Sequence, residues 1–363
     1  MSEAAERRTE EAAHYGDAGA EYEAVRGAAG VINLSSRGRV EVTGAEAVQF
    51  LNGMLTNDVA KLEDGAWVHA ALPNVQGRLV ASARVIRDGD AFIFDTEAAT
   101  HAALFAALER FTPAGDFRVK DLTEETALLS VQGPRAAEVL VAALGDEKLG
   151  RLERGRVAVV TLGSGGARAR VIRATHTGED GFDLFVGAAS APSLRGALTA
   201  AGARPVGFDA AEVLRIEAGL PRYGADATAE NVVLEVVDED EAVSYTKGCY
   251  VGQEIIARIH WRGHVAKKLA GLVLDGGGEG VRPGARLKSG DGARAAGQVT
   301  SVARSPRLGR LVALGIVKYD FLAPGTALQV LDDEEEVCGA RVSELPHVRG
   351  SWHAASEGEG DGR

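Results

Sequence analysis

The segment KGCYVGQE, residues 247–254, combines the residue types that a reactive thiol needs. It contains Cys249, one of two cysteines in a chain of 363 residues. A nearby cation such as Lys247, or the N-terminus of a helix, favours the nucleophilic thiolate form. The residues QEIIARI that follow predict such a helix. The alternative is a small buried hydrophobe, which describes most free cysteines, and the local sequence leaves both interpretations open.

Two histidines follow this segment at a spacing that metal sites use. His260 and His264 are spaced i, i+4, so one helical face could present both to a metal ion. The sequence offers no third-ligand pattern such as HExxH, and Gly263 disfavours a helix at this point. We therefore favour surface or capping histidines and expect no metal site.

A basic run with a tryptophan inside it covers the same region. It could bind an anion, a polyanionic tail or a client protein, with the indole stacking on a ring. The alternative is an ordinary solvated surface. The basic residues are Lys247, Arg258, Arg262, Lys267 and Lys268, and the tryptophan is Trp261.

Composition and charge exclude several classes of protein. The formal net charge of −12 argues against strong direct binding of nucleic acid by the whole surface. Two cysteines without a CxxC pair make neither a disulfide scaffold nor a zinc site, and they favour a reducing, cytoplasmic setting. No run approaches the roughly 18 apolar residues of a transmembrane helix, so we expect no membrane association. The charged N-terminus lacks the apolar segment of a secretory signal.

The periodicity of the chain predicts two α+β halves of similar layout and then a small β domain. Strands at 79–86 and 91–95 are expected to form a hairpin across Asp88-Gly89, whose residues suit a tight turn. From about 267, short strands alternate with Gly/Pro turns, which is typical of a small antiparallel barrel. We predict a flexible or helical N-terminal extension over 1–29, a first α+β domain over 30–125, a second over 126–264 that ends in KGCYVGQE, a β-barrel over 265–349, and a disordered tail over 350–363.

Several segments, in this order, resemble those of the glycine-cleavage T-protein superfamily. They are LNGMLTNDV (51–59), QGR (76–78), SVQGPRA (130–136), HTGEDGFDLFV (176–186), VLRIEAGLPRYGAD (213–226) and KGCYVGQEIIAR (247–258). The resemblance covers about residues 30–345, and the pattern KGCY-x-GQE is typical of the YgfZ-type branch. It implies a three-domain, T-protein-like α+β fold. Two α+β (ferredoxin-like) domains would surround a central opening, with a small C-terminal antiparallel β-barrel as the third.

The resemblance to this branch also implies a function. It points to a tetrahydrofolate-binding accessory factor that assembles or repairs iron–sulfur clusters in client enzymes, including radical enzymes that modify tRNA. Tetrahydrofolate, with or without a polyglutamate tail, is the implied cofactor. Iron–sulfur client enzymes are the implied partners.

The family motifs can be carried onto individual residues. In the aminomethyltransferases of the superfamily, an aromatic residue and an acid that flank TGEDGF hold the pterin. They correspond to His176, where the family has tyrosine, and to Asp183. The pattern RxEAGxxxYG is expected to line the same opening, and the motif cysteine is the expected reactive thiol. The expected site residues are Cys249 as the thiol, and His176, Asp183, Arg215, Tyr223, Lys247, Gln253 and Glu254 as folate-binding positions.

Ala81-Ser82 departs from the family pattern. Aminomethyltransferases carry two aspartates at the corresponding positions, and one of them interacts with the folate nitrogens. Alanine and serine supply no carboxylate for charge stabilisation or proton transfer. We therefore expect the accessory factor rather than the alternative, a tetrahydrofolate-dependent aminomethyltransferase of glycine-cleavage type. A further alternative, a tRNA-binding modification factor, is disfavoured by the acidic balance.

Overall fold

The computed structural model describes residues 12–163, 166–276, 278–332 and 335–357. Residues 1–11 of the predicted extension and 358–363 of the predicted tail lie outside these ranges. The described strands form a five-stranded sheet, a six-stranded sheet and a closed barrel. No helix within the described ranges is long and apolar enough to cross a membrane.

The secondary-structure elements are numbered in chain order. The strands are β1 (Gly30–Asn33), β2 (Gly38–Thr43), β3 (Trp67–Pro73), β4 (Leu79–Asp88), β5 (Ala91–Thr96), β6 (Arg118–Asp121), β7 (Thr126–Gln132), β8 (Val157–Leu162), β9 (Ala167–Arg173), β10 (Gly181–Gly187), β11 (Arg204–Val206), β12 (Lys267–Leu274), β13 (Arg286–Ser289), β14 (Ala295–Ser305), β15 (Arg310–Lys318), β16 (Ala327–Asp332) and β17 (Glu335–Ser343). The α-helices are α1 (Ala18–Gly27), α2 (Ala47–Met54), α3 (Ala98–Glu109), α4 (Ala136–Leu144), α5 (Ala191–Ala200), α6 (Phe208–Glu217), α7 (Val233–Val236), α8 (Glu239–Ala242), α9 (Gln253–Arg262) and α10 (Ser351–Glu357).

The first sheet has the order β3-β4-β5-β2-β6, and its paired strands are antiparallel. Leu51 of α2 and Leu104 of α3 pack with Val85 and Phe94 in one buried cluster, so the two helices cover one face of this sheet. The predicted β4–β5 hairpin is confirmed. Asp88 pairs with Ala91, and Gly89 between them has a φ of 61°, which a side chain would disfavour.

The second sheet has the order β11-β1-β7-β10-β9-β8. β1 pairs with β7 antiparallel and with β11 parallel, so Val31 lies between Val131 and Pro205. The chain therefore enters the second sheet before it builds the first one. The predicted domain that begins at residue 30 does not show that β1 pairs within the second sheet, because strand partners are set by long-range packing.

The barrel comprises β12 to β17 in the order β12-β15-β14-β13-β16-β17, and the pairing of β12 with β17 closes it. Its interior is apolar, with Leu272, Val299 and Val330 fully buried. Closure leaves no free sheet edge. The predicted fold class, two α+β units followed by a small antiparallel barrel, is confirmed.

The predicted disordered tail is partly a helix, α10. Its first residue is held firmly, because Ser351 donates from its backbone N–H and its hydroxyl to Glu179, each at 2.7 Å. The backbone N–H of Asp180 in turn donates to the Ser351 hydroxyl at 2.9 Å. Composition suggested disorder after residue 350, but these tertiary partners stabilise a short helix.

Candidate functional site

The main cavity has a volume of about 500 Å³. It lies where the two sheets meet, and the segment after α6 and the C-terminal helix α10 complete its walls. Its aromatic lining residues are Trp67, His69, His176, Tyr223, Trp352 and His353. Its charged lining residues are Arg37, Arg84, Glu97, Arg154, Asp238 and Glu241.

A chain of buried charges forms one side of the cavity. Arg84 on β4 donates to Asp183 on β10 at 2.5 Å, and His176 lies 2.9 Å from the same carboxylate oxygen. Arg84 also pairs with Asp95 on β5 at 3.1 Å, and Asp95 pairs with Arg37 at 2.7 Å. The network therefore joins the first sheet to the second.

The charges of this network shift the pKa of Asp183 and that of His69, which lies opposite Arg84. Burial alone would raise the pKa of Asp183, but the charges of His176 and Arg84 outweigh burial and hold that pKa well below its usual range. Burial, and then the charge of Arg84, lower the pKa of His69 to about 3. At neutral pH, Asp183 is therefore a carboxylate and His69 is a neutral ring.

The register of the first sheet determines the position of Arg84. Arg84 lies directly opposite His69 on β3 and Asp95 on β5. The sequence analysis missed Arg84, Asp95 and Arg37, because cross-strand partners depend on register. The sequence did contain one indication of the network. Arg84 is a charged residue in the middle of β4, which is otherwise largely apolar there.

Ala81 and Ser82, the positions where the family resemblance implies two aspartates, lie in different surroundings. Ala81 is fully buried in the core of the first unit. Ser82 lines the cavity. Of the two replaced side chains, only the one at position 82 could act on a molecule in the cavity.

The structure brings some of the expected site residues to the cavity. His176 and Tyr223 line it, and burial raises the pKa of Tyr223. Asp183 has no exposed surface and lies behind Arg84 and His176, to which it is bonded. Asp183 can therefore act on a ligand only through these two neighbours.

Arg215 occupies a different place. It donates to the carboxylates of Glu212 and Asp226, each at 2.7 Å, and to the Ser301 hydroxyl of the barrel at 2.8 Å. It is not among the cavity-lining residues of the described chain. Arg215 therefore joins α6 to the barrel instead of facing a ligand.

The side chain of Lys247 also has a structural role. Its ammonium group donates to the backbone carbonyls of Leu55 at 2.8 Å and Asn57 at 2.7 Å, and burial lowers its pKa to about 8. Cys249, two residues further along the chain, is exposed. None of Lys247, Cys249, Gln253 and Glu254 is among the described residues that line the cavity. The motif therefore packs against the end of α2 rather than on the cavity wall.

Glu254 and the two histidines belong to the outer surface of this region. Glu254 pairs with Arg258 at 2.6 Å along α9. His260 contacts Glu239, whereas the ring of His264 stacks on Tyr319 at 3.4 Å. Within the described ranges, no three His, Cys, Asp or Glu side chains form a group that could hold a metal.

Gly252 in this motif is required by backbone packing. Its φ is 78°, and a Cβ atom there would lie 2.4 Å from the Asn74 carbonyl oxygen. We expect Gly252→Ala to lower the free energy of unfolding by about 2–4 kcal/mol, since strain and overlap add. Urea denaturation of the two proteins measures this difference.

The matched control lies four residues earlier in the same motif. A Cβ atom at Gly248 would meet nothing within 4 Å. Gly248→Ala should therefore change stability by less than about 0.5 kcal/mol. Equal losses of stability in the two variants would contradict the idea that close packing against Asn74 requires a glycine at position 252.

Comparison with known proteins identifies the family. Residues 7–237 match the GCVT N-terminal domain, and residues 267–348 match the glycine cleavage T-protein C-terminal barrel domain. The chain belongs to the glycine-cleavage T-protein family.

Curated T-protein relatives align over most of their length. The chain is 36% identical to the aminomethyltransferase of Rubrobacter xylanophilus over 332 residues, which is 91% of this chain and 86% of that protein. It is 36% identical to an aminomethyltransferase of Thermus thermophilus over 310 residues, 84% of each chain. The crystal structure of glycine cleavage system aminomethyltransferase T from Bartonella henselae superposes with a TM-score of 0.80, at 26% identity, and covers 91% of this T-protein and 89% of that chain.

These relatives correct the functional expectation drawn from the sequence. They are named aminomethyltransferases, and nothing in them supports an iron–sulfur accessory factor, iron–sulfur client enzymes or tRNA modification. The iron–sulfur prediction is therefore wrong, and the comparisons favour the aminomethyltransferase alternative. KGCY-x-GQE and Ala81-Ser82 are local features of a few residues, whereas the similarity to the aminomethyltransferases extends over 91% of the chain.

Proposed function

We propose that this T-protein is a tetrahydrofolate-dependent aminomethyltransferase. Aminomethyltransferases of this family use tetrahydrofolate, in agreement with the cofactor expected from the sequence. The observation that carries the proposal is the cavity of about 500 Å³ at the junction of the two sheets. It lies in a chain of which 91% aligns with a curated aminomethyltransferase.

The residues around the cavity suit a folate. Its volume falls within the range of roughly 300–1,000 Å³ that is usual for small-molecule sites. Aromatic side chains such as Tyr223 and His176 offer faces to a flat ring, and carboxylates such as Asp238 accept hydrogen bonds from ring N–H groups. An arginine such as Arg154 suits a carboxylate of a folate.

A carboxylate for proton transfer is available away from positions 81 and 82. Glu241 lines the cavity and is exposed to solvent at its open side. Desolvation by the surrounding protein, and then the charge of Asp238, raise its pKa, although Arg154 opposes them. A carboxyl group with a raised pKa can hold a proton nearer to neutral pH.

The residues of the cavity then have separate roles in the reaction. Tetrahydrofolate supplies the amine nitrogens that accept the one-carbon unit. Arg84 and His176, fixed by Asp183, would orient the ring. Glu241 would donate its proton to the leaving amine, which departs as ammonia, and would regain a proton from one of the two folate nitrogens that bond to the carbon. The bond from that carbon to the donor would also break, and the donor would depart with the proton of the second nitrogen. Ser82 would add no charge at the position where the family resemblance implies an aspartate.

Two sequence predictions remain separate from this mechanism. The thiol role of Cys249 stays a prediction, and its exposed position outside the cavity lining gives it no part in the proposed transfer. The narrower YgfZ-type placement rests on the KGCYVGQE motif, and the relatives compared above do not carry that name.

The proposal is tested by direct assay. The purified protein is incubated with tetrahydrofolate and a protein-bound aminomethyl donor, and ammonia and methylene-tetrahydrofolate are measured together. We expect both products in equal amounts at a rate well above that without enzyme. Tight folate binding without either product would overturn the transferase and leave a folate-binding protein.

A further inference from the structure

A second, smaller pocket lies between the two sheets, apart from the main cavity. It has a volume of about 50 Å³ and shares no lining residue with the main cavity in the described part of the chain. Its walls come mainly from β2 and β5 of the first sheet and from β7, β9 and β10 of the second. A water molecule needs roughly 10–15 Å³ of such space, so the pocket has room for an ion of a few heavy atoms rather than for a cofactor.

Three arginines line this pocket. Arg168 and Arg170 are two residues apart on β9, so their side chains lie on the same face of the strand. Arg39 reaches the pocket from β2, and Ile93 and Phe185 supply apolar walls. Three guanidinium groups around one small space concentrate positive charge in a chain whose formal net charge is −12.

Arg39 provides a guanidinium that is held in one position. Its side chain is buried and donates to the Thr126 hydroxyl at 2.7 Å. It also donates to the backbone carbonyls of Arg37 at 2.6 Å and Thr123 at 2.7 Å. Because these bonds already order the side chain, little rotamer freedom is lost when an ion binds beside it.

The two arginines on β9 retain donors that the fold does not use. Arg170 donates to Asp88 from Nε and Nη2, and its Nη1 has no hydrogen-bond partner among the described residues. Arg168 is exposed, and its guanidinium likewise has no partner within the described ranges. Both side chains can therefore donate to an anion without breaking an existing bond.

We propose that this arginine pocket binds a phosphate oxyanion. Guanidinium groups match phosphate oxygens with paired, charge-assisted hydrogen bonds, and the pocket is of the size of one such group. The ion joins β2 of the first sheet to β9 of the second and so stabilises the junction between the sheets. This site lies outside the main cavity, and it does not depend on the proposed transfer reaction.

The test adds inorganic phosphate to the full chain at an ionic strength held constant with sodium chloride. Isothermal titration calorimetry should show saturable binding of one ion, and the Tm should increase with occupancy. Arg168→Gln should raise the Kd for phosphate roughly tenfold, since it removes one charged donor group. Arg204→Gln is the matched control, because it removes an exposed strand arginine on β11, outside the lining of the arginine pocket, and should leave the Kd unchanged.

Gly187 allows a second, independent pair of variants. It lines the arginine pocket, its φ is −57°, and a Cβ atom there would meet nothing within 4 Å. A side chain at this position therefore causes no strain. Gly187→Asp adds a negative charge beside the arginines and should abolish detectable phosphate binding, whereas Gly187→Asn, of equal size and no charge, should retain most of it.

Phosphoserine, as a second probe, distinguishes the source of the phosphate. Tighter binding of inorganic phosphate supports a free ion, and tighter binding of phosphoserine with the same loss in Arg168→Gln supports a phosphate group on a larger molecule. Thermal melts without phosphate show that each variant is folded. The proposal is overturned if phosphate raises the Tm no more than chloride does, or if Arg168→Gln and Arg204→Gln bind phosphate equally well.

Discussion

Replacing Arg84 with methionine should lower the free energy of unfolding by about 3–5 kcal/mol, because it removes the positive charge that two buried carboxylates share. Arg84 pairs with both Asp95 and Asp183, and neither carboxylate has exposed surface. Methionine preserves much of the side-chain volume, so the loss reports on charge rather than on packing. Urea denaturation at pH 7 measures it.

The acid dependence of the same variant adds a second readout. The folded protein holds the pKa of Asp95 and that of Asp183 below the ordinary aspartate value of 3.8. The stability that these groups contribute is therefore present above about pH 4 and is lost as pH falls toward their lowered values. Without Arg84 their folded pKa values rise toward the unfolded value, so the variant should lose less stability than the unaltered protein as pH falls below about 4.

An exposed arginine provides the control for this experiment. Arg135 pairs with Glu138 on the surface of α4, where the two side chains are 63% and 65% exposed. Arg135→Met should change stability by no more than about 1 kcal/mol. A similar cost at positions 84 and 135 would refute the idea that the buried network joins the two sheets.

Replacing Glu241 with glutamine should reduce the rate of aminomethyl transfer by roughly 10²–10⁴-fold, the usual contribution of a positioned proton donor. The KM for tetrahydrofolate should change little, since glutamine keeps the shape and the hydrogen-bonding capacity of the side chain. Steady-state kinetics of the two proteins measures both constants. A large change in KM at unchanged kcat would instead make Glu241 a binding residue.

The pH profile decides whether Glu241 acts as the acid. Its pKa is raised above the ordinary glutamate value, so the protonated form persists to a higher pH and disappears as pH increases through that pKa. The kcat should therefore fall on the alkaline side of that value, and the fall should be absent in Glu241→Gln. Glu138→Gln, which alters an exposed glutamate on α4, should retain the original profile.

There is a physical reason why the sequence motifs pointed to the wrong function. Family motifs report which side chains are present, whereas a reaction depends on which of them meet in a cavity. Cys249 was conspicuous in the sequence, yet its neighbour Lys247 is bonded to the carbonyls at the end of α2. Glu241 was only one acid in an acidic stretch, yet the fold places it on the cavity wall.

The sequence by itself determined the order of the elements, the antiparallel barrel and the β4–β5 hairpin. These features depend on local periodicity and on turn residues such as Gly89, which a single sequence displays. The resemblance to the T-protein superfamily also pointed to His176 and Tyr223, and both line the cavity.

Only the tertiary structure decided which charges meet. Arg84, Asp95 and Asp183 come from strands of two sheets, and their pairing depends on register and on how the sheets pack. The same holds for α10, whose composition suggested disorder but whose Trp352 and Ser351 find partners far away in the chain. Contacts between residues distant in sequence follow from the packing of the whole chain, and no local pattern encodes them.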